Sequence, residues 1–308
     1  VALNCVANGI VLREKIFDRM WIQPASGDAG GALGAALLTA YRKFGARRLV
    51  RENARDTQRG SYLGPRFSSA EVRAFLDRGG YPYERVADSA NLAERVASSL
   101  AEGKVVGLLH GRMEFGPRAL GARSILGDPR NPETQVMMNL KIKYRESFRP
   151  FAPSVLAERC ADYFELDDES PYMLLVARVQ PTRQEPFTLP EWTGREDDML
   201  AVVKQARSDL PAVTHVDYSA RIQTVHRDDH AFYHALISAF EKRTGCGVIV
   251  NTSFNVRGEP IVCSPKDAYV CFMRTGMDLL VLEDCVLTKD AQPALSDDSD
   301  WRKEHVLD

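Results

Sequence analysis

The distribution of apolar and polar residues predicts alternating strands and helices along most of the chain. Short apolar runs bounded by turn residues are typical of buried strands, whereas apolar residues three or four positions apart indicate amphipathic helices. Strands are expected at 1–6, 20–23, 83–86, 105–109, 151–156, 172–178, within 214–225, from residue 247 onward and at 279–282. Helices are expected from residue 30 to about 41 and at 68–78, 90–102, 157–164, 199–210, 228–244 and 265–275. Strands followed by helices in this way predict an α/β fold.

Turn and capping residues mark the ends of several of these elements. Asn8-Gly9 is a strong turn signal between the first two predicted strands. Ser68 with Glu71 has the spacing of a helical capping box, and Ser264-Pro265 is a typical helix start. Gly245 is expected to end the long helix before it, because glycine readily adopts the left-handed conformation there.

Changes in composition divide the chain into four parts. Residues 1–45 form a small unit, 46–60 are a polar linker, 61–290 are the main domain and 291–308 are an acidic tail. The chain opens on Val1-Ala-Leu without an initiator Met. We therefore expect it to be a C-terminal fragment that lacks an N-terminal part.

Overall composition is that of a soluble globular protein. The chain has 308 residues, of which 44% are hydrophobic and 27% charged, with a net charge of −2. This near-neutral balance argues against a dedicated nucleic-acid binder. No run of eighteen apolar residues and no signal peptide is apparent, so no membrane association is expected. The six cysteines form no C-x-x-C pair, which favours free thiols in the cytoplasm.

Basic residues are concentrated in one stretch of the sequence. Residues 110–149 contain eight Arg or Lys and four Asp or Glu, whereas the rest of the chain carries a surplus of six negative charges. Gly and Pro between the basic residues favour fixed turns over a long helix. Arginines on a rigid backbone suit bidentate binding of phosphate or carboxylate. The stretch therefore predicts an anion pocket, the alternative being a basic surface that balances an acidic one.

A glycine-rich turn near the N-terminus is a second candidate site. Gly30 and Gly31 open the Ala/Leu-rich helix, where missing side chains and free N–H groups would admit a phosphate. Asp28 lies at the same turn and could either hold a metal or cap the helix. From the sequence alone the N-cap interpretation is favoured, because Asp is common at that position.

Short polar residues follow the strand that begins at residue 247. Asn251, Ser253, Asn255 and Arg257 are spaced to line one site at the end of this strand, where ligands of α/β sheets bind. The alternative is that the Asn side chains cap their own loop. Arg221, with His215, lies beside another strand and is expected to face the same cavity.

His230 and His234 are four residues apart on one helix, as metal ligands can be. No Glu follows His230 as in the H-E-x-x-H pattern, so a structural role is preferred.

Three motifs together resemble one enzyme family. They are Gly111-Arg-Met-Glu-Phe-Gly-Pro-Arg-Ala-Leu-Gly, Phe148-Arg-Pro-Phe-Ala-Pro and Asn251-Thr-Ser-Phe-Asn. This combination is similar to the O-carbamoyltransferases of nodulation-factor and antibiotic tailoring, and most similar to the nodulation type. The resemblance implies a YrdC-like domain, a twisted open α/β sheet, over residues 61–290. Residues 1–45 would be the C-terminal remnant of a Kae1-like domain with the actin-like ATPase fold.

The resemblance also implies a two-step reaction. The YrdC-like domain would form carbamoyl adenylate and pyrophosphate from carbamoyl phosphate and ATP, with Mg accompanying the ATP. The Kae1-like domain, with an Fe-type metal, would transfer the carbamoyl group to a hydroxyl of a sugar-containing acceptor such as a lipo-chitooligosaccharide or an aminoglycoside.

Site residues follow from the resemblance, position by position. Carbamoyl phosphate and ATP would be held by Arg118, Lys143, Arg149, Arg221 and Arg257. Asn255 would orient the carbamoyl amide, and Asn251 and Ser253 would contact the substrate. Asp28 would bind the metal, which reverses the N-cap preference, and Gly30-Gly31 would be the nucleotide loop. The other metal ligands of the family lie in the N-terminal half, so this chain is expected to perform only the adenylation step.

Two other functions remain open on the sequence. One is a stand-alone YrdC-like threonylcarbamoyl-adenylate synthase, which uses threonine and bicarbonate. The other is an RNA-binding module, although the near-neutral charge argues against it.

Overall fold

The computed structural model describes residues 1–48, 56–188 and 197–295. Within these residues nine strands form one sheet. The strands are β1 (Glu84–Arg85), β2 (Val106–Leu109), β3 (Arg123–Gly127), β4 (Ala152–Leu156), β5 (Leu175–Arg178), β6 (Ser219–Val225), β7 (Val248–Ser253), β8 (Leu279–Leu282) and β9 (Cys285–Thr288). Their order across the sheet is β1-β9-β8-β2-β3-β7-β4-β6-β5.

The sheet is mixed, and its central strands place the three sequence motifs side by side. β2 is parallel to β8, and β4 is parallel to β6. β7 lies between β3 and β4 and is antiparallel to both. Asn251 of β7 pairs with Leu126 of β3 on one side and with Ala152 of β4 on the other. The loop before β3, the loop before β4 and the end of β7 therefore lie in one region.

Nine α-helices in the described ranges surround or flank this sheet. They are α1 (Cys5–Arg13), α2 (Gly30–Leu38), α3 (Ser69–Gly79), α4 (Ser89–Ala101), α5 (Pro132–Met138), α6 (Cys160–Tyr163), α7 (Asp197–Lys204), α8 (Ala231–Thr244) and α9 (Pro265–Arg274). Wider π-helical turns extend α2 through Thr39–Lys43 and α5 through Asn139–Lys143.

Apolar side chains between the helices and the sheet form the main core. α4 packs along α8, and α9 packs against β2 and β8. Val96 of α4, Leu236 of α8 and Ile249 of β7 are completely buried in the same cluster. This core supports the strands whose ends carry the polar motifs.

The predicted helix boundaries are confirmed where capping residues define them. Ser68 accepts a hydrogen bond from the Glu71 amide while the Glu71 carboxylate accepts from the Ser68 amide, which completes the capping box of α3. Ser264 and Asp267 form a second capping box at the start of α9. Gly245 ends α8 at a φ of 75°, a left-handed conformation that favours glycine.

The prediction for the first residues is wrong. The apolar run 1–6 leads into helix α1, because the Asn4 side chain caps it by accepting from the Ala7 amide. Asn8-Gly9 lies inside this helix and forms no turn. Gly9 lets α1 approach β5 closely, since a Cβ there would lie 2.1 Å from the Val176 carbonyl oxygen. The run 20–23 forms no strand either.

Residues 1–44 pack on the rest of the chain only in places. α1 contacts β5, and Ala25 is only 1% exposed. Other large apolar side chains of this segment remain exposed, among them Phe17, Leu38 and Phe44. The proposed domain boundaries stay predictions, and parts of the proposed linker and tail lie outside the described residues.

The basic stretch contains a strand and a helix, β3 and α5, where only turns were predicted. Strand β9, outside this stretch, was not predicted either. Arg123 and Ser124 begin β3 and are both completely buried, although their polarity suggests a loop.

Two further properties concern the hydropathy of the helices and the state of the cysteines. No helix in the described ranges is long and apolar enough to cross a membrane. All six cysteines are free thiols, as expected.

Candidate anion-binding site

A cavity of about 300 Å³, termed here the basic cavity, lies against the sheet near β4, β5, β6 and β7. Three arginines line it, two from the segment before β4 and one from β6: Arg145, Arg149 and Arg221. The rest of the wall is formed by Cys5, Val6, Pro150, Phe151, Ala152, Val176, His215 and Thr252. Guanidinium groups from separate parts of the sequence therefore face one hollow.

Like charges around the basic cavity lie close enough to affect one another. Burial, with a smaller contribution from the charges of Arg118 and Arg145, lowers the pKa of Arg221 to about 10. Burial, with a smaller contribution from Arg149 and Arg257, also lowers the pKa of Arg145 to about 10. A bound anion would stabilise the charged form of both guanidiniums.

Carboxylates offset this charge only in part. Glu146 lies 3.5 Å from Nε of Arg149. Nε of Arg118 and Nε of Arg221 are buried without a hydrogen-bond partner among the described residues. Buried donors without an acceptor are costly, so these atoms are suited to receive an oxygen-rich ligand.

A buried glutamate shapes the loop that carries Arg118. Oε1 of Glu114 accepts hydrogen bonds from the backbone amides of Leu120 at 2.6 Å, Ala122 at 2.7 Å and Arg123 at 3.3 Å. Burial raises the pKa of Glu114, whereas the hydrogen bonds from the Ala122 and Leu120 amides lower it. The carboxylate thus fixes the turn between β2 and β3.

Asn251 connects the same loop to the sheet. Its side-chain Nδ2 donates to the Ala119 carbonyl at 3.2 Å and to Oε1 of Gln223 at 2.8 Å. Oδ1 of Asn251 is buried without a partner in the described part of the chain. Asn251 therefore supports the loop before β3, and its predicted contact with the substrate stays a prediction.

Lys143 lies beside the basic cavity rather than on its wall. Its buried ammonium donates to the carbonyl and hydroxyl oxygens of Ser253 and to the carbonyl and side-chain oxygens of Asn255. Burial lowers the pKa of Lys143 to about 7, and the charge of Arg145 lowers it as well. These bonds join the end of α5 to the loop after β7.

Asn255 is engaged within its own loop. Oδ1 accepts from Lys143 at 2.7 Å and from the Ser253 hydroxyl at 2.7 Å, and Nδ2 donates to the Glu259 carbonyl at 2.6 Å. This geometry favours the loop-capping alternative for Asn255. An orienting role toward a carbamoyl amide stays a prediction.

The structure brings the predicted cationic residues into one neighbourhood. Arg149 and Arg221 line the basic cavity, Arg118 and Arg257 act on its arginines through their charge, and Lys143 adjoins it. Their roles in phosphate binding stay predictions. Sequence reasoning assigned no role to Arg145, which lies in the basic stretch, or to Thr252, which lies within the third motif.

The glycine-rich turn does not line the basic cavity. The N-cap of α2 is Ala29 and makes no side-chain bond, so an N-cap role for Asp28 is wrong. Asp28 is exposed. Gly30 packs against the Ala25 carbonyl, which a Cβ would approach to 2.0 Å, whereas Gly31 has open space around it. The metal and nucleotide roles of Asp28, Gly30 and Gly31 stay predictions.

In the described ranges, no group of three or more His, Cys, Asp or Glu could hold a metal ion. His230 caps α8 through Nδ1, which accepts from the Tyr233 amide at 3.2 Å. His234 lies 2.8 Å from Glu158. The structural role predicted for these two histidines is confirmed.

A second cavity of about 440 Å³ adjoins the basic cavity. The two share Pro150 and His215 in their walls. The apolar part of the second wall is supplied by Pro132, Val136, Phe148, Pro150, Val203, Ala206, Pro211 and Val216. A flat apolar group and an attached anion would therefore find adjacent surfaces.

Comparison with solved structures finds a weak likeness. Full-length HypF in its phosphate- and nucleotide-bound form matches with a TM-score of 0.40 and 17% identity, over 63% of this chain and 25% of that chain. A likeness this weak identifies neither a fold nor a function for this chain.

Curated sequences show much closer relatives. Uncharacterized protein sll1178 of Synechocystis sp. is 57% identical over 100% of this chain and 49% of its own length. Nodulation protein NolO of Bradyrhizobium diazoefficiens is 40% identical, over 92% of this chain and 47% of its own. The 3'-hydroxymethylcephem-O-carbamoyltransferase of Amycolatopsis lactamdurans is 32% identical, over 92% and 46%. The chain spans about half the length of these relatives.

Two family models match separate parts of the chain. The carbamoyltransferase N-terminus matches residues 1–37 and the carbamoyltransferase C-terminus matches residues 97–289. Two of the three motifs that suggested the family, at 148–153 and 251–255, contribute residues to the wall of the basic cavity. Because the second match alone covers more than half of the sequence, the chain belongs to the carbamoyltransferase family, as its motifs predicted.

Proposed function

We propose that the basic cavity binds the phosphate groups of carbamoyl phosphate and ATP and forms carbamoyl adenylate. The observation that carries this proposal is the group of guanidiniums around the 300 Å³ cavity, with few carboxylates to offset them. The two substrates together bring roughly six negative charges, which several cations must balance.

The proposed reaction has two steps, hydrolysis of carbamoyl phosphate and formation of the adenylate. Water cleaves carbamoyl phosphate into carbamate and phosphate. A carbamate oxygen then attacks the α-phosphorus of ATP, the bond to the bridging oxygen breaks, and pyrophosphate leaves with that electron pair. The arginines would hold the phosphate oxygens and stabilise charge during transfer, as in other phosphoryl-transfer sites.

The adjacent apolar cavity supports ATP as the co-substrate. Its walls suit the adenine ring, while the shared residues Pro150 and His215 would lie near the ribose and α-phosphate. Burial lowers the pKa of His215, and the Arg221 charge adds to this effect, so His215 is neutral at pH 7 and can accept or donate a hydrogen bond. Mg would accompany the ATP and help to neutralise its phosphate charge.

The full-length activity is a broader proposal. We infer a YrdC-like fold for residues 61–290 and a Kae1-like remnant before it, with transfer of the carbamoyl group to a hydroxyl of a sugar-containing acceptor. The named relatives include a nodulation protein and an O-carbamoyltransferase of a hydroxymethylcephem, which supports a hydroxyl as the accepting group. Asp28 belongs to no group of three or more His, Cys, Asp or Glu that could hold a metal ion in the described ranges, so these residues alone do not fit the Fe-type metal.

Pyrophosphate release tests the proposal. The chain is incubated with ATP and carbamoyl phosphate, and in parallel with ATP, threonine and bicarbonate. Release with the first set alone is expected, with carbamoyl adenylate identified by mass spectrometry. Release with threonine and bicarbonate would instead favour the threonylcarbamoyl-adenylate synthase, and no release with either set would contradict both. RNA binding that weakens steeply with salt would favour the RNA-binding alternative.

A further inference from the structure

His215 lies in a tight turn directly before β6, the strand that carries Arg221. Its backbone amide donates to the Ser219 carbonyl at 2.8 Å, and the Tyr218 amide donates to the His215 carbonyl at 3.0 Å. Tyr218 has a φ of 65°, in the left-handed region that closes the turn. Oδ1 of Asp217 accepts from the Ser219 amide at 3.0 Å. The backbone of His215 is therefore fixed relative to a strand that forms part of the basic cavity wall.

His215 supplies the nitrogen base of the basic cavity. In the described part of the chain, the ionisable side chains that line this cavity are Cys5, Arg145, Arg149, His215 and Arg221, and no carboxylate lies in its wall. A guanidinium has no acceptor and a thiol is a weak one, whereas a neutral imidazole accepts through one ring nitrogen. Among these wall residues, His215 is therefore the group suited to take a proton from water that reacts beside a bound anion.

The imidazole ring is also available and lies between two cavities. Neither ring nitrogen of His215 makes a hydrogen bond to another described residue. His215 belongs to the wall of the second cavity as well as to that of the basic cavity. With ATP in the second cavity and carbamoyl phosphate in the basic one, the carbamoyl group would have to meet the α-phosphate at this junction.

Charges of both signs lie around His215. Those that share its turn or a cavity wall with it in the described ranges are Asp217, Arg145, Arg149, Arg221, Glu133 and Lys204. Burial lowers the pKa of His215, the Asp217 carboxylate raises it and the Arg221 charge lowers it, so that the shift is downward. The ring is thus neutral at pH 7 and can accept a proton. A bound anion would raise this pKa, which makes His215 a stronger base when the substrate is present.

We propose that His215 is a catalytic residue, the general base for the hydrolysis of carbamoyl phosphate in the basic cavity. This inference rests on the proposed function, since it requires that carbamoyl phosphate is cleaved there. It adds a proton acceptor to a site whose other assigned groups are cations that bind the phosphates.

The step is balanced as follows. A ring nitrogen of His215 takes one proton from water while the water oxygen forms a bond to the carbonyl carbon of carbamoyl phosphate. The bond from this carbon to the bridging oxygen breaks, and phosphate leaves with the electron pair. The imidazolium returns its proton to the phosphate, and the carbamic acid loses its acidic proton to solvent to give carbamate.

The test supplies carbamate in two ways, because carbamate also forms without an enzyme in ammonium bicarbonate solution. Pyrophosphate release from ATP by the whole chain is measured with carbamoyl phosphate and, separately, with ammonium bicarbonate. His215→Gln keeps a hydrogen-bonding side chain that cannot take the proton. It should lower kcat with carbamoyl phosphate by about a hundredfold or more, a usual contribution of a general base, and leave release with ammonium bicarbonate unchanged.

The pH dependence gives a readout that needs no variant. For the wild type, kcat/KM for phosphate release from carbamoyl phosphate should rise with pH as the imidazole loses its proton. The inflection should lie below the ordinary histidine pKa of about 6.5, because the pKa of His215 is lowered. A profile without an inflection in this range would overturn the proposal, and so would the same inflection in His215→Gln.

His226→Gln is the matched control. His226 follows the opposite end of β6 and lines neither of the two cavities. Its replacement should leave both reactions unchanged. Equal losses with the two carbamate sources in His215→Gln, or no loss with either, would overturn the general-base role while the cavity stays an adenylation site. If the wild type releases pyrophosphate with neither source, the proposed function itself fails, and this inference with it.

Discussion

The ammonium of Lys143 donates a hydrogen bond of 2.7 Å to the side-chain oxygen of Asn255. A second bond of 2.9 Å reaches the carbonyl of the same residue. Lys143 ends the π-helical turn after α5, and Asn255 lies in the loop after β7, so the contact joins two separate motifs. With Ser253 also bound, the donors of Lys143 are occupied by protein oxygens. Lys143 is thus placed to position the loop beside the basic cavity.

Stability should depend on the titration of Lys143. Burial lowers its pKa to about 7 in the folded chain, whereas lysine titrates near about 10.4 in an unfolded chain. Between these values the unfolded state binds more protons, so the Lys143 contribution to the free energy of unfolding should rise as pH increases from 7 toward 10. Denaturant unfolding of wild type and Lys143→Met at pH 7, 8 and 9 measures this difference. A difference that stays constant or falls would show that the ammonium keeps its ordinary pKa.

Replacement of Arg118 should have opposite effects with and without an anion. Its charge adds to the burial that lowers the pKa of Arg221, so Arg118→Gln removes a repulsion in the empty cavity. The Tm without ligand should be equal to or above that of the wild type. Pyrophosphate should then raise the Tm less than in the wild type, and pyrophosphate release from ATP should fall at least tenfold, since charge-assisted bonds to phosphate are lost. Unchanged release would remove Arg118 from the site.

Much of the fold was predictable because local signals agree with the packing. The capping boxes at Ser68 and Ser264 define helices that also bury an apolar face. The first helix was not predictable in this way. Residues 1–6 are apolar enough for a strand, and helix was selected by the Asn4 cap and by the contact of Gly9 with Val176, a residue far away in the sequence. A short apolar run does not distinguish the two conformations.

The site was predictable in its charge and not in its detailed contacts. The excess of basic residues at 110–149 indicated an anion pocket, and the arginines do gather around one cavity. The sequence does not distinguish arginines that face the cavity from those that serve the fold. Arg123 is completely buried and donates to backbone carbonyls, including that of Ala122 at 2.9 Å. Arg145 has similar sequence surroundings and lines the cavity, a difference that only tertiary packing determines.

Glu114 should be essential to the fold of the loop that carries Arg118. Glu114→Ala leaves three backbone amides without their acceptor, and each buried unsatisfied group costs about 1–3 kcal/mol, so a loss of about 3 kcal/mol or more is expected. Glu114→Gln keeps an oxygen for these amides and should lose about 1 kcal/mol. Chemical denaturation of both variants measures the difference. Equal losses in the two variants would mean that charge, and not the acceptor oxygen, stabilises the loop.

Gly9 allows α1 to pack closely against β5, so its replacement should disturb this contact. A Cβ at Gly9 would lie 2.1 Å from the Val176 carbonyl oxygen, so Gly9→Ala should force α1 away from the sheet. Because Cys5 and Val6 of α1 form part of the basic cavity wall, this change should lower both the Tm and the affinity for pyrophosphate. Hydrogen exchange over residues 5–13 should also become faster, since the helix loses its packing partner.

Gly31→Ala in α2 is the matched control for Gly9→Ala. Nothing lies within 4 Å of a Cβ at Gly31, and the position is helical without a positive φ. Alanine is favoured over glycine in a helix by about 1 kcal/mol, so this variant should keep or raise the Tm and bind pyrophosphate as the wild type does. If Gly9→Ala behaves like Gly31→Ala in all three measurements, α1 does not pack against β5 and does not complete the cavity. A loss of binding in Gly31→Ala alone would instead place the glycine-rich turn at the phosphate site.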